Sequence, residues 1–288
     1  MPRYYKDRIG SKVDADLKRS HGEVVAPLKA FVSHVVTDAD HGVRDHGGPR
    51  AACALAWIEA WAKGDAWLGD MGSKQAEYQR KWDLAGIALA YLKLRPYAPV
   101  DQRAMIEPWL LQFADKAATF QLAPERKRNN HRYWLGLALA ATSLATDSPR
   151  LWDDARRIMQ DAAADIRLDG SLPLELERGE RALHYHAFAV TPLVVLAELA
   201  ARRGENWFAF SNDALHRLVA RTASGLVNPT AFGMVAHAEQ EPRPGLGAGW
   251  LWLYQHRFPN RLAGPPPDVP RKHRWLGGDV SLLPGALP

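Results

Sequence analysis

The sequence predicts an all-α fold, a single domain of antiparallel helices joined by short loops. Three observations carry this reading. Apolar residues recur at helical spacing along most of the chain, short Gly-, Pro- and Asp-rich breakers separate the periodic stretches, and no alternating run is long enough for a useful strand. At 288 residues the chain can bury a sizeable core.

The first two helices are expected at residues 13–37 and 49–68, the second carrying the apolar run "RAACALAWIEAWA". The third lies in "AEYQRKWDLAGIALAYLKL", where Tyr78, Trp82, Ala85, Leu89 and Leu92 step by three and four to make one stripe. Further helices are expected at 100–120, 131–146, 149–167, 180–203 and 207–226. In "TDSPRLWDDA", Ser148 reads as an N-cap with Pro149 in the first turn. The breakers are "DHGG", "GDMGS", "LRPYAP", "TDSPR", "LDGSLP" and "RRGEN". Pro- and Gly-rich segments come late, in "QEPRPGLGAG" and "LAGPPPDVPRKH". No repeat of the tetratricopeptide or ankyrin type is present. Helix pairs set around a ring leave a central cleft, where ligands prefer to bind.

Net charge is +5 and the pI about 9.3, which favours polyanionic partners. The charge is spread over the folded body. The only dense basic run is "RKHRW" (Arg271 to Trp275), and no DNA-binding motif is visible. Of the eleven tryptophans, most are expected in the core and the rest as platforms for sugar faces. The single cysteine, Cys53, is expected to be a small buried hydrophobe, and a lone cysteine excludes an intrachain disulfide. No run approaches the ~18–20 apolar residues of a membrane span. "MPRYYKDRIG" does not read as a signal peptide, as expected of a cytoplasmic protein or a trimmed form.

Two clusters carry chemistry. "KRNNHRYW" places Asn130, His131, Tyr133 and Trp134 at one helix entrance, where a cap needs a single asparagine. His131 and Trp134 share a helical face. "ELERGERALHYHAFA" holds Arg178, Arg181, His184, Tyr185 and His186. Arg178 and Tyr185 are two helical turns apart, so one helix over both would align them, and Arg181 and Tyr185 could do the same. The histidines at 184 and 186 point to different faces, which argues against a shared metal. Asn and Arg suit a carboxylate, and Tyr and His can move protons. Together they suit β-elimination from a uronic acid. Neutralising the carboxylate stabilises the enediolate formed when the C5 proton leaves, and the C4 oxygen then departs with a proton. The two opposed carboxylates of a glycoside hydrolase are not indicated at either cluster.

On these motifs the chain resembles the alginate lyases of polysaccharide lyase family five, periplasmic bacterial enzymes that cleave polymannuronate. "AACALAWIEAWAKGDAWL", "QRKWDLAGIALAYLKLR", "NNHRYW", "LPLELERGERALHYH", "WLWLY" and "WLGGDV" match family segments in order, and the 54-residue spacing of His131 and Tyr185 also fits. The resemblance implies an incomplete (α/α) toroid, a single domain with a central cleft and an N-terminal lid over about residues 1–12, which "YYKDRIGSKVD" resembles. It implies that Asn130 and Arg178 neutralise the C5 carboxylate with help from His131. Tyr185 would serve as general acid and, alone or with His131, as base. Trp134, Tyr133, His184, Lys81, Arg80, Arg8, Tyr5, Trp250, Tyr254 and Arg274 are the expected substrate-binding residues. No metal or other cofactor is expected. The expected partner is an acidic polysaccharide, with no nucleic acid or membrane, and the expected state a monomer in the periplasm.

The chain departs from the family pattern at two places. His184 stands where a small residue precedes the tyrosine, and Trp275 where an arginine precedes Leu-Gly-Gly, with Arg274 one place earlier. Both bear on substrate. Mannuronate and glucuronate share the C5–H and C4 arrangement, whereas guluronate is inverted at C5. Cleavage of mannuronate polymers is therefore expected, with glucuronate-containing polymers such as glucuronan or hyaluronate as further substrates. The alternative is a non-catalytic protein that binds acidic polysaccharide. A nucleic-acid-binding helical protein is a weaker rival, resting on charge alone.

Overall fold

A computed structural model describes residues 13–241, 249–262 and 270–283. The helices follow the expected order: α1 Ala15–Arg44, α2 Gly48–Lys63, α3 Lys74–Leu94, α4 Val100–Gln121, α5 Asn130–Thr146, α6 Pro149–Asp165, α7 Pro173–Leu176, α8 Ala182–Arg202, α9 Phe210–Val227, α10 Pro229–Ala236 and α11 Trp250–Arg257. The first helix runs seven residues beyond its expected end. Asp14 caps it, its carboxylate accepting from Asp16 and Leu17 N–H groups. Two short helices, α10 and α11, lie beyond the last expected helical stretch at 207–226.

Successive pairs build the ring. α1, α3, α5, α8 and α11 pack one upon the next as an inner set, with α2, α4, α6 and α9 outside them. Sequence explains the division. α6 has one buried stripe, Leu151, Trp152, Ala155, Ile158, Met159, Ala162 and Ala163, as an outer helix should. α5 is buried from Tyr133 through Ala145, apolar on all sides. α8 is apolar enough and long enough to cross a membrane by composition, contrary to the expectation that no stretch would be, yet 83% of its apolar window is buried inside the fold.

A two-residue ribbon pairs β1 (Lys272–His273) with β2 (Gly278–Asp279), antiparallel. This C-terminal strap lies on α3. A Cβ at Gly86 would stand 2.3 Å from the Arg274 carbonyl oxygen, so the helix needs glycine for the strap to approach. At Gly277, φ +70, a Cβ would meet Leu89 Cβ at 2.5 Å. Lys93 fastens the strap from below. Its Nζ donates to Asp40 Oδ1 (2.7 Å) and to the carbonyls of Gly277 (2.7 Å) and Asp279 (3.0 Å). Asp40 Oδ2 in turn accepts from the Asp279 N–H at 2.8 Å. The "WLGGDV" segment is thus a clasp that holds Arg274 and Trp275 against the inner helices.

Candidate active site

The entrance to α5 separates the two asparagines by task. Asn129 is the N-cap, its side chain accepting from the His131 N–H at 3.2 Å. Asn130 is the first helical residue and is buried. Its backbone N–H and its amide nitrogen both reach Glu175 of α7, at 2.8 Å and at 3.0 Å to each carboxylate oxygen. Its Oδ1 is buried without a hydrogen-bond partner. Burial raises the Glu175 carboxyl pKa, against the lowering effect of these bonds and of Arg178.

Arg178 meets Tyr185, though not by sharing a helix with it. The chain breaks between α7 and α8, and Arg178 sits in that break. The loop folds the guanidinium back over the phenol, 3.6 Å from the ring centroid, and Arg181 approaches the same ring at 5.1 Å. His184 stands edge-on to Tyr185, with ring centroids 5.1 Å apart. His186 points elsewhere, accepting from the buried Leu172 N–H at 2.9 Å, so the two histidines do not converge.

His131 joins this cluster from α5. It stacks on Tyr78 of α3 at 3.7 Å. Burial, then the charges of Lys81 and Arg178, hold its pKa well below the usual imidazole value. The ring is therefore neutral at neutral pH, and its Nδ1 has no hydrogen-bond partner. The Lys81 ammonium lies over the Tyr78 and Trp82 rings at 4.3 and 4.7 Å, and burial pushes its pKa well down. Trp82 stacks on Trp275 of the strap at 4.7 Å. Phe188 meets Trp82 at 5.8 Å and Trp275 at 6.3 Å, while Arg274 covers Trp275 at 4.5 Å. His131, Arg178, His184, Phe188, Arg274 and Trp275 all keep partial exposure, so this aromatic and cationic surface faces solvent. The nearby carboxylates are committed, Glu175 to Asn130 and Glu77 to Arg80.

Five expected substrate-binding residues lie elsewhere. Trp134 is 1% exposed and donates to the Phe188 carbonyl at 3.1 Å, supporting the surface from behind. Tyr133 is buried towards Glu175 and Asp165, and burial with those charges drives its pKa well up. Trp250 is fully buried, and Tyr254 shares a 2.6 Å hydrogen bond with buried His216. Arg80 is locked onto the Trp67 and Gly69 carbonyls and Glu77. In each case the aromatic or cationic character that suggested sugar contact serves the core instead. Tyr5, Arg8 and the lid fall outside the described residues. Tyr78, Trp82, Glu175 and Phe188 join the site without having been singled out for it. Tyr78, Lys81 and Trp82 stand at i, i+3 and i+4, the spacing that could have marked a shared face.

An α/α toroid whose surface gathers cations and aromatic rings around a phenol, with its carboxylates tied up, has the make-up of a polysaccharide lyase. The comparisons agree. The alginate lyase family model matches residues 3–232. A polysaccharide lyase of Stenotrophomonas maltophilia is 40% identical over 97% of this chain and 86% of its own length. An alginate lyase of Pseudomonas syringae pv. syringae is 34% identical over 90% of this chain and 71% of its own. The crystal structure of alginate lyase A1-III from Sphingomonas species A1 superposes with a TM-score of 0.84 at 27% identity, covering 98% of this chain and 82% of that one. A tyrosine-to-phenylalanine variant of A1-III complexed with tetrasaccharide gives a TM-score of 0.87 at 26% identity, over 98% and 82% of the two chains. The chain belongs to the alginate lyase family.

Proposed function

We propose that the protein cleaves alginate at mannuronate linkages by β-elimination, with the chemistry centred on Tyr185. The observation that carries this reading is the Arg178 guanidinium 3.6 Å above the Tyr185 ring, beside a histidine that burial and then local cations keep neutral. A uronate carboxylate drawn to Arg178 and Lys81 has its charge neutralised, which acidifies the C5 proton. Tyr185, alone or with neutral His131, removes that proton. The electron pair forms the C4=C5 double bond, the C4–O bond breaks, and the glycosidic oxygen takes a proton from the phenol. The products are a 4,5-unsaturated uronate end and a new reducing end.

Asn130 contributes if its amide turns. In the resting site its Nδ2 is held by Glu175, so sugar binding must draw the amide towards the sugar carboxylate. Because side-chain cations supply the neutralisation, we propose that turnover is metal-independent. His184, Arg274 and Trp275 extend the surface on the side where the chain departs from the family pattern, which supports acceptance of glucuronate polymers too. The family resemblance alone supports a periplasmic location, and fractionation of cells expressing the complete gene tests it.

The discriminating experiment is Tyr185→Phe, followed by the ultraviolet absorbance of unsaturated ends on polymannuronate, polyguluronate, polyglucuronate and hyaluronate. Turnover on polymannuronate should fall about 10²–10⁴-fold with binding largely kept. Wild-type protein that binds polymannuronate without producing unsaturated ends would favour the non-catalytic binder, and faster reaction on polyguluronate would overturn the stereochemical assignment.

A further inference from the structure

Cys53 is not the buried hydrophobe that its apolar surroundings suggest. It is half-buried, and its Sγ faces His34 Nε2 across 3.8 Å, from α2 to α1. His34 and Asp38 are one turn apart on α1 and present neighbouring side chains. We propose that His34, Asp38 and Cys53 form a binding site for a divalent transition metal of zinc type, sharing no residue with the sugar site.

The spacing of the donor atoms supports this. The ligand atoms of the three residues all lie within 4.8 Å of one another. For zinc, with bonds of about 2.0–2.1 Å to nitrogen and oxygen and about 2.3 Å to sulfur, a tetrahedron has N···O edges of about 3.4 Å and N···S edges of about 3.6 Å. The observed distances are 3.3 Å from His34 Nε2 to Asp38 Oδ2 and 3.8 Å to Cys53 Sγ. A small closure of the two helices completes the site.

The second argument is an unsatisfied acceptor. Asp38 is 1% exposed, and its Oδ2 has no hydrogen-bond partner although His34 Nε2 stands 3.3 Å away. A simple His–Asp pair would aim the N–H at that oxygen. Two lone pairs that converge on a shared point give this geometry instead. The other oxygen, Oδ1, accepts from Arg50 at 3.0 Å, an outer hydrogen bond of the kind that orients a metal-binding carboxylate. Trp57 stands edge-on to the His34 ring at 5.7 Å and restricts its rotation. His34 is exposed, which gives the ion an entry path and leaves a fourth position for water. Neutral imidazole, carboxylate and thiolate balance a divalent ion, and the thiol proton goes to solvent on binding.

The test uses the full chain after treatment with a chelator, titrated with Co²⁺ and Zn²⁺. One equivalent of Co²⁺ should give the visible bands of a tetrahedral ion and a near-ultraviolet thiolate charge-transfer band, and Zn²⁺ should displace it. Mg²⁺ should not compete, because a thiolate selects against hard ions. His34→Gln and Cys53→Ser, both at positions open enough to keep the fold by circular dichroism, should each weaken Co²⁺ binding by more than about tenfold. Cys53→Ser should also abolish the charge-transfer band. Wild-type protein without that band, or a His34→Gln variant that binds as tightly as wild type, would overturn the proposal.

Discussion

Lys81 and Lys93 lie on the same helix, α3, each with 1% of its surface exposed, and the fold treats them in opposite ways. Lys93 is satisfied, with a carboxylate, two carbonyls and a place in the clasp that holds the C-terminal strap. Lys81 has no ion pair among the described residues. Its one hydrogen bond is a 3.4 Å contact to the Tyr78 carbonyl in its own turn, and two aromatic faces supply the rest. Burial lowers the pKa of both; for Lys93 a directly hydrogen-bonded carboxylate, Asp40, opposes the shift, whereas for Lys81 only the more distant charge of Glu77 does. A buried cation with its counter-ion serves architecture. One without an ion pair, beside a neutral histidine and an arginine-covered phenol, is the cation we propose meets the sugar carboxylate. Electrostatic preorganisation of this sort costs stability and is retained where it lowers a barrier.

The comparison can be broken most decisively at Lys93. Lys93→Met leaves Asp40 buried without its cation and frees two strap carbonyls, so unfolding free energy should fall by about 3–5 kcal/mol in denaturant titrations. An unchanged midpoint would mean that Lys93 is no more structural than Lys81. Lys81→Met should do the reverse. Stability should hold or rise, because burying an ammonium without a carboxylate is costly, while kcat/KM on polymannuronate should drop by about 10–100-fold, a loss of about 1.4–2.7 kcal/mol. A parallel loss of stability would make Lys81 another structural lysine.

Asp83, one turn below Gln79, sharpens the contrast with a smaller effect. Burial raises its pKa to about 7, against the bond from Gln79 Nε2 (2.7 Å) and the charge of Arg274. The folded carboxyl therefore binds its proton more tightly than the unfolded one, whose pKa is about 3.8. The stability it contributes is complete below about pH 4 and is lost progressively as pH rises to about 7. Asp83→Asn keeps the oxygen that accepts from Gln79 and should flatten that decline, seen as a reduced difference in unfolding free energy between acid and neutral pH. His131 gives the companion result for activity. Its lowered pKa keeps the ring neutral as pH falls below 6.5, so an acid limb of kcat/KM assigned to it should lie below that value.

Much of this organisation was legible in the residues. Helical periodicity located the long elements. "DHGG" and "GDMGS" bracket α2, and the Ser148–Pro149 start of α6 falls where expected, though the Ser148 side chain makes no capping bond. Asn130, His131, Arg178 and Tyr185 could be singled out because they crowd two short segments with more polar groups than capping needs. The route from Arg178 to Tyr185 was not legible, because a two-turn helical match and a folded-back loop bring the same side chains together. Nor could spacing show that Trp134, Tyr133, Trp250 and Tyr254 face inward. An aromatic ring in an α/α ring fold suits core and cleft equally, and only the packing of neighbouring helices selects between them.

The sequence by itself determined the all-α class, the order of helices and the two segments that hold the proposed reactive groups, because periodicity and capping act over a few residues. Tertiary structure alone decided which lysine is neutralised, which asparagine meets Glu175 and which tryptophan reaches the surface. Those outcomes depend on the burial and charge that distant segments supply to one another once the ring has closed.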